Sequence, residues 1–163
     1  RHDRQVRRWM PHINLLYPFR PTEAWPELLE PMAERVRPLL PFTVRLAEIR
    51  YFRHPSGRCT LWLAPEPAEA LDALQRALLA VAPECDDVRR HRGGFTPHLS
   101  IGQAPDATTC VALQRALQQQ WEPLTFPVTH VSLIWRHAPP DDVFRVGWEV
   151  GPEGVRPVNP PAT

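Results

Sequence analysis

The chain repeats one order of elements, and this repetition constrains its fold more than any other feature. A proline, a histidine and alternating apolar residues occur twice, as PHINL at 11–15 and PHLSI at 97–101. Each segment is followed by a pattern typical of a helix and then of a β-hairpin. The sequence therefore predicts two pseudo-repeats, about 11–64 and 97–150, joined by a helix over 67–82.

In the first repeat, an extended segment is predicted at 12–17. Apolar residues at helical spacing then predict a helix over about 23–38. Pro31 falls on the other face of this helix, where it should kink or interrupt it. Residues rich in Val, Ile, Tyr and Phe predict strands at 42–53 and 59–63, which form a hairpin around a Pro-Ser-Gly turn.

In the second repeat, a polar loop at about 83–96 precedes the PHLSI segment. Asp106 is a plausible N-cap for the helix that follows. Strands are predicted at 126–136 and 144–150. The proline-rich tail at 151–163 is expected to be frayed.

These elements predict an α+β fold for residues 1–150 as a single domain. We expect two lobes related by a pseudo-twofold axis. Two antiparallel sheets would face a central cleft, with the helices outside. The two histidine strands would then face one another across that cleft.

Composition excludes several classes of function. The 163 residues include 19 basic and 18 acidic side chains, for a net charge of +1, and every basic residue is arginine. The absence of lysine excludes a Schiff base and a Walker-type phosphate loop, and the even charge argues against coating of long nucleic acid. Cys59, Cys85 and Cys110 lack a C-x-x-C pairing, which favours reduced thiols in a cytoplasmic protein. No apolar run approaches the roughly 18 residues that span a membrane.

Strand periodicity places the polar residues of both motifs on one face. Side chains alternate along a strand, so the apolar residues pack inward while the histidine and the residue two positions later point the other way. Two imidazoles, each with an ordinary pKa of about 6.5, can divide acid and base work near neutral pH. The residues that would face the cleft are His12, Asn14, His98 and Ser100.

This pair of motifs resembles the H-x-T/S motifs of the 2H phosphoesterase superfamily, which includes 2'-5' RNA ligases and RNA 2',3'-cyclic phosphodiesterases. The resemblance covers about 11–150, and Asn14 stands where the family usually has Thr or Ser. It implies metal-independent hydrolysis of 2',3'-cyclic phosphates on RNA ends or nucleotides, without a cofactor. His12 and His98 would be the catalytic acid–base pair, with Asn14 and Ser100 on the phosphate oxygens. Either histidine can be the base.

Other candidate binding residues surround the motifs. Gln103 stands where the RNA ligase branch often has an arginine, so Arg90 or Arg92 in the preceding loop is expected to supply the missing charge. Tyr17 and Phe19 follow the first motif and are candidates for stacking on a base. Arginines also cluster in the first eight residues, where they could steer a phosphate.

Several alternatives remain open at this point. Within the family, these are 2'-5' RNA ligation and hydrolysis of small cyclic nucleotides or ADP-ribose cyclic phosphate. Outside it, the chain could be an RNA-end binding module without catalysis, or a metal-dependent hydrolase with zinc on His12, His98 and a cysteine. His130 is interpreted as structural. A monomer suffices for every one of these readings.

Overall fold

The computed structural model describes residues 6–90 and 93–161. The helices are α1 (Trp25–Val36), α2 (Ala68–Leu79) and α3 (Ala107–Gln120), with 3-10 turns at Thr22–Ala24 and Asp87–Arg89. The strands are β1 (Phe42–Arg53), β2 (Cys59–Glu66), β3 (Leu99–Ala104), β4 (Leu124–Val128), β5 (Val131–Trp135), β6 (Arg145–Gly151) and β7 (Gly154–Pro157).

These strands form two antiparallel sheets, which confirms the predicted α+β fold class. The first sheet has the order β3-β2-β1-β4, and the second has the order β5-β6-β7. Helix α3 packs against β1, β2 and β3, while α1 packs against β6, β7 and α2. Each sheet is therefore covered by the helix that the chain order assigns to the other repeat.

Two local predictions rest on turn and cap chemistry, and both are confirmed. The β1–β2 hairpin turns at Gly57, whose φ of 81° suits glycine, and whose amide donates to the His54 carbonyl. The Asp106 side chain accepts a hydrogen bond from the Thr109 amide at 2.8 Å and caps α3.

The strand predicted at 126–136 is wrong, because the chain changes sheets within it. β4 pairs with β1 in the first sheet and β5 pairs with β6 in the second. Thr129 and His130 make the crossing. Gly151 packs against them so closely that a Cβ there would lie 2.9 Å from the Thr129 carbonyl oxygen.

Three further expectations differ from the structure. The segment at 12–17 forms isolated bridges at Ile13 and Tyr17 rather than a continuous strand. Pro31 lies on the exposed face of α1, and the helix runs through it without interruption. The tail is not frayed throughout, because β7 pairs with β6. Among the described residues, no helix is long and apolar enough to cross a membrane.

Candidate active site

The two histidine motifs lie side by side because Ile13 and Leu99 form an antiparallel bridge. In an antiparallel pair this register places His12 opposite Ser100 and Asn14 opposite His98. The two histidines are then diagonal neighbours, at a backbone separation of about 7–8 Å. The register therefore sets each histidine across from the hydrogen-bonding residue of the other motif.

The apolar residues of both motifs turn inward, as the alternation predicts. Ile13, Leu15, Leu99 and Ile101 all pack against the apolar core between α3 and the first sheet. His12 and His98 remain half-buried, and Ser100 is exposed. Core packing thus directs the polar residues of both motifs to the open side.

Both imidazoles are oriented by the same backbone bond. His12 Nδ1 lies 2.7 Å from the Met10 carbonyl oxygen, and His98 Nδ1 lies 2.8 Å from that of Thr96. A carbonyl only accepts, so Nδ1 carries the proton and donates in each case. Nε2 is consequently the nitrogen that can exchange a proton with a substrate.

A proline separates the histidine from its acceptor in both motifs, at Pro11 and Pro97. Proline has no amide hydrogen, and it restricts the residue before it to extended backbone. The acceptor carbonyl two residues before each histidine is thereby fixed in direction. The shared Pro-His sequence is thus the local cause of the shared imidazole orientation.

Aromatic rings contact the two histidines in different ways. The Trp9 indole stacks on His12, with ring centroids 4.4 Å apart and planes at 26°. His98 makes edge contacts instead, to Phe52 at 5.0 Å and 88° and to Trp62 at 5.9 Å and 67°. Sequence reasoning did not select Trp9, although it lies three residues before His12.

A cavity opens beside His98. It has a volume of about 460 Å³ and is lined by Asn14, Tyr17, Asp87, Val88, Arg90 and His98. Arg90 is exposed and forms ion pairs with Asp86 at 2.6 Å and Asp87 at 3.0 Å. The hydrogen bond with Asp86 raises the pKa of the Arg90 guanidinium. This cavity brings four of the predicted residues together, whereas Arg92 lies outside the described residues.

Gln103 shares the open face of the first sheet with Ser100. Ser100 pairs with Trp62 and Gln103 pairs with Thr60, because the register shifts between Leu61 and Trp62. Trp62 and Thr60 lie two residues apart on one strand and thus point the same way. The irregularity therefore returns Gln103 to the face of the second motif, three residues after Ser100.

Phe19 is not among the residues that line the cavity beside His98. Its ring packs against Trp25 at 5.9 Å and contacts the core beneath α1. It also lines a second, mostly apolar cavity of about 470 Å³ between the two sheets, and His12 and His130 are among the other lining residues. His130 forms an ion pair with Glu149 at 3.3 Å.

A family model described as the 2'-5' RNA ligase superfamily matches residues 1–140, a range that contains both histidine motifs. The chain belongs to this superfamily. The resemblance to 2H phosphoesterases is thereby confirmed, and the family's activities are those of phosphodiesterases and ligases on RNA or nucleotide substrates. A comparison with curated proteins returned no match.

The three cysteines belong to the apolar core. Cys59, Cys85 and Cys110 are free thiols buried in the core. Within residues 6–90 and 93–161, no group of three or more His, Cys, Asp or Glu side chains is arranged to hold a metal ion.

Proposed function

We propose that this protein is a metal-independent phosphodiesterase that opens 2',3'-cyclic phosphates on RNA ends or nucleotides. The observation that carries the proposal is the matched orientation of His12 and His98, in which each Nδ1 donates to a backbone carbonyl, so that Nε2 is the nitrogen that would exchange a proton with the substrate. A pair of such imidazoles at one phosphorus suits in-line displacement.

The reaction balances with water as the only co-reactant. One Nε2 accepts a proton from water as its oxygen bonds to phosphorus. The other Nε2, protonated at the start, donates its proton to the ribose oxygen as the P–O bond breaks. The product is an acyclic phosphomonoester beside a free hydroxyl, and the two histidines end with their protonation states exchanged.

The neutral and cationic groups around the motifs support phosphate binding. Asn14 and Ser100 can donate hydrogen bonds to the non-bridging oxygens, and Gln103 occupies the same face as Ser100. Arg90 and Tyr17 line the cavity beside His98, where a cation and an aromatic ring suit a nucleotide. We propose that the protein acts as a cytoplasmic monomer in which the three buried thiols stay reduced.

The test compares hydrolysis of a 2',3'-cyclic mononucleotide and of a cyclic-phosphate oligonucleotide, with and without EDTA. We expect His12→Ala and His98→Ala each to lower kcat by about 10²–10⁴-fold, while the exposed control His137→Ala keeps full activity. Phosphorus NMR identifies the product isomer. Full activity in either motif variant would refute the two-histidine assignment.

The alternatives predict different results in the same assay. A 2'-5' RNA ligase would join the oligonucleotide to an acceptor with a 5'-hydroxyl. An RNA-end binding module would bind the oligonucleotide without converting it over hours, and a metal-dependent hydrolase would lose activity in EDTA. The departures at Asn14 and Gln103 are the sequence features that favour the binding module.

A further inference from the structure

We propose that Trp9 is a positioning residue of the reaction, which holds the His12 imidazole in its working orientation and stabilises the imidazolium with its indole face. The inference rests on the two-histidine function proposed above and adds a residue that the H-x-T/S motif does not contain. Its basis is the ring stack between Trp9 and His12, 4.4 Å between centroids.

Two contacts of different kinds fix the His12 ring. The hydrogen bond from Nδ1 to the Met10 carbonyl opposes rotation of the ring about its Cβ–Cγ bond. The nearly parallel indole, at 26°, covers one face of the ring and opposes its tilting toward that side. Nε2 is then aimed in a single direction before substrate binds, which is what efficient proton transfer requires.

Trp9 also contacts the connection between β5 and β6. Its ring packs on Phe144 at 4.0 Å and 49°. The Phe144 amide donates to the Arg8 carbonyl at 2.8 Å, and Arg8 forms an ion pair with Asp142 at 2.6 Å. The segment before His12 is thus fastened to the β5–β6 connection, and the indole is placed by that connection rather than by β3.

The stack also acts electrostatically. A cation near the face of an aromatic ring is attracted by its quadrupole, and indole is the strongest such partner among the side chains. The Phe52 and Trp62 rings meet the His98 ring at steep angles, 88° and 67°, whereas the Trp9 indole lies nearly parallel to the His12 ring.

The charged and titratable groups around the stack come from several elements. Arg8, next to Trp9, forms an ion pair with Asp142 of the β5–β6 connection. Arg136 lies over the Phe144 ring, 5.4 Å from its centroid. His130 lines the same cavity as His12 from the β4–β5 crossing, and the other motif contributes His98. Among the described residues, Trp9 provides the aromatic ring that stacks on His12.

The proposal takes His12 as the base, which becomes an imidazolium as water attacks phosphorus. The indole face then lowers this barrier, and its loss should reduce kcat rather than raise KM. From the strength of cation–π contacts we expect Trp9→Leu to lower kcat roughly two- to thirtyfold. Trp9→Phe keeps an aromatic face and should lose less.

Fluorinated tryptophan separates the electrostatic effect from packing, because fluorine withdraws charge from the ring with little change in size. We expect kcat of the wild-type chain to fall stepwise as fluorines are added, with KM within twofold. The matched control is Trp9→Phe grown with the same analogues, in which the other five tryptophans are labelled. The proposal is overturned if that control is equally sensitive, or if wild-type kcat does not respond.

NMR relaxation of the His12 ring tests Trp9 without turnover. We expect the His12 ring to be more mobile in Trp9→Leu than in the wild type, because the stacked indole is lost, while the His98 ring is unchanged. Equal mobility of the His12 ring in both proteins would overturn the proposal. If no cyclic phosphate is hydrolysed, the two-histidine function fails, and the relaxation measurement still decides whether Trp9 positions His12.

Discussion

Arg89 is expected to stabilise the loop between α2 and the second motif through a buried amide. Its Nη1 donates to Gln75 Oε1 at 2.6 Å and to Asp72 Oδ1 at 3.0 Å. Gln75 lies on α2 and is fully buried. Arg89 ends the 3-10 turn whose Asp87 amide donates to the Tyr17 carbonyl at 3.0 Å. One guanidinium therefore connects α2 to the segment that leaves the first motif.

The magnitude of Arg89→Met follows from these contacts. Asp72 keeps an ion pair with Arg76 at 3.1 Å, and both of its partners are partly exposed, so loss of the Arg89 pair costs little. The larger loss is at Gln75, whose buried Oε1 would have no donor. Leaving such an acceptor unpaired costs about 1–3 kcal/mol. We expect the free energy of unfolding to fall by about 2 kcal/mol.

Urea unfolding of a double-mutant cycle measures this cost. Gln75→Leu removes the stranded acceptor, so the Arg89→Met/Gln75→Leu protein should be more stable than Arg89→Met alone. Arg115→Met, an exposed arginine on α3, is the control for lost charge and should change stability little. An Arg89→Met loss equal to that of Arg115→Met, or no recovery in the double variant, would refute the reasoning.

Three further predictions follow from single positions. Gln103→Arg places a cation on the face of the second motif. We expect the KM for a cyclic-phosphate oligonucleotide to fall severalfold at low salt and less at high salt, as measured by steady-state kinetics at two salt concentrations. Gly151→Ala would push a Cβ to 2.9 Å from the Thr129 carbonyl oxygen and should cost about 1–3 kcal/mol in urea unfolding, whereas Gly93→Ala meets no atom within 4 Å and should be neutral. Burial raises the pKa of the Cys110 thiol to about 11, so this protonated thiol should resist a thiol reagent at neutral pH until urea is added. The unfolded thiol ionises near pH 9, so the free energy of unfolding should fall as the pH rises from about 9 to 11.

The elements predicted well from the sequence are those set by local chemistry. β1 has the predicted bounds, 42–53, because its β-branched and aromatic residues favour a strand. The turn at Gly57 ends this strand and connects it to β2. Asp106 caps α3 because its carboxylate reaches the Thr109 amide three residues away. Such interactions join residues only a few positions apart, so the local sequence is enough to predict them.

The features that the sequence did not predict depend on packing between residues far apart in the chain. An amphipathic helix such as α1 shows which face is buried but not which sheet covers it, and α1 packs on the second sheet. The crossing at Thr129 depends on the close approach of Gly151, twenty-two residues further along. The Trp9–His12 stack requires Phe144 from the β5–β6 connection. None of these partners is marked by a local pattern.

The crossed pairing of the motifs changes what the asparagine of the first motif can do. Sequence reasoning places Asn14 beside His12, since both belong to one motif. The Ile13–Leu99 bridge instead sets Asn14 opposite His98, and both line the cavity that contains Arg90. In the proposed function, this amide is therefore the donor for the His98 side of the phosphate. Because an amide side chain is longer than the hydroxyl of Thr or Ser, Asn14 can donate to a phosphate oxygen from this position, which makes it compatible with the two-histidine chemistry proposed for this chain.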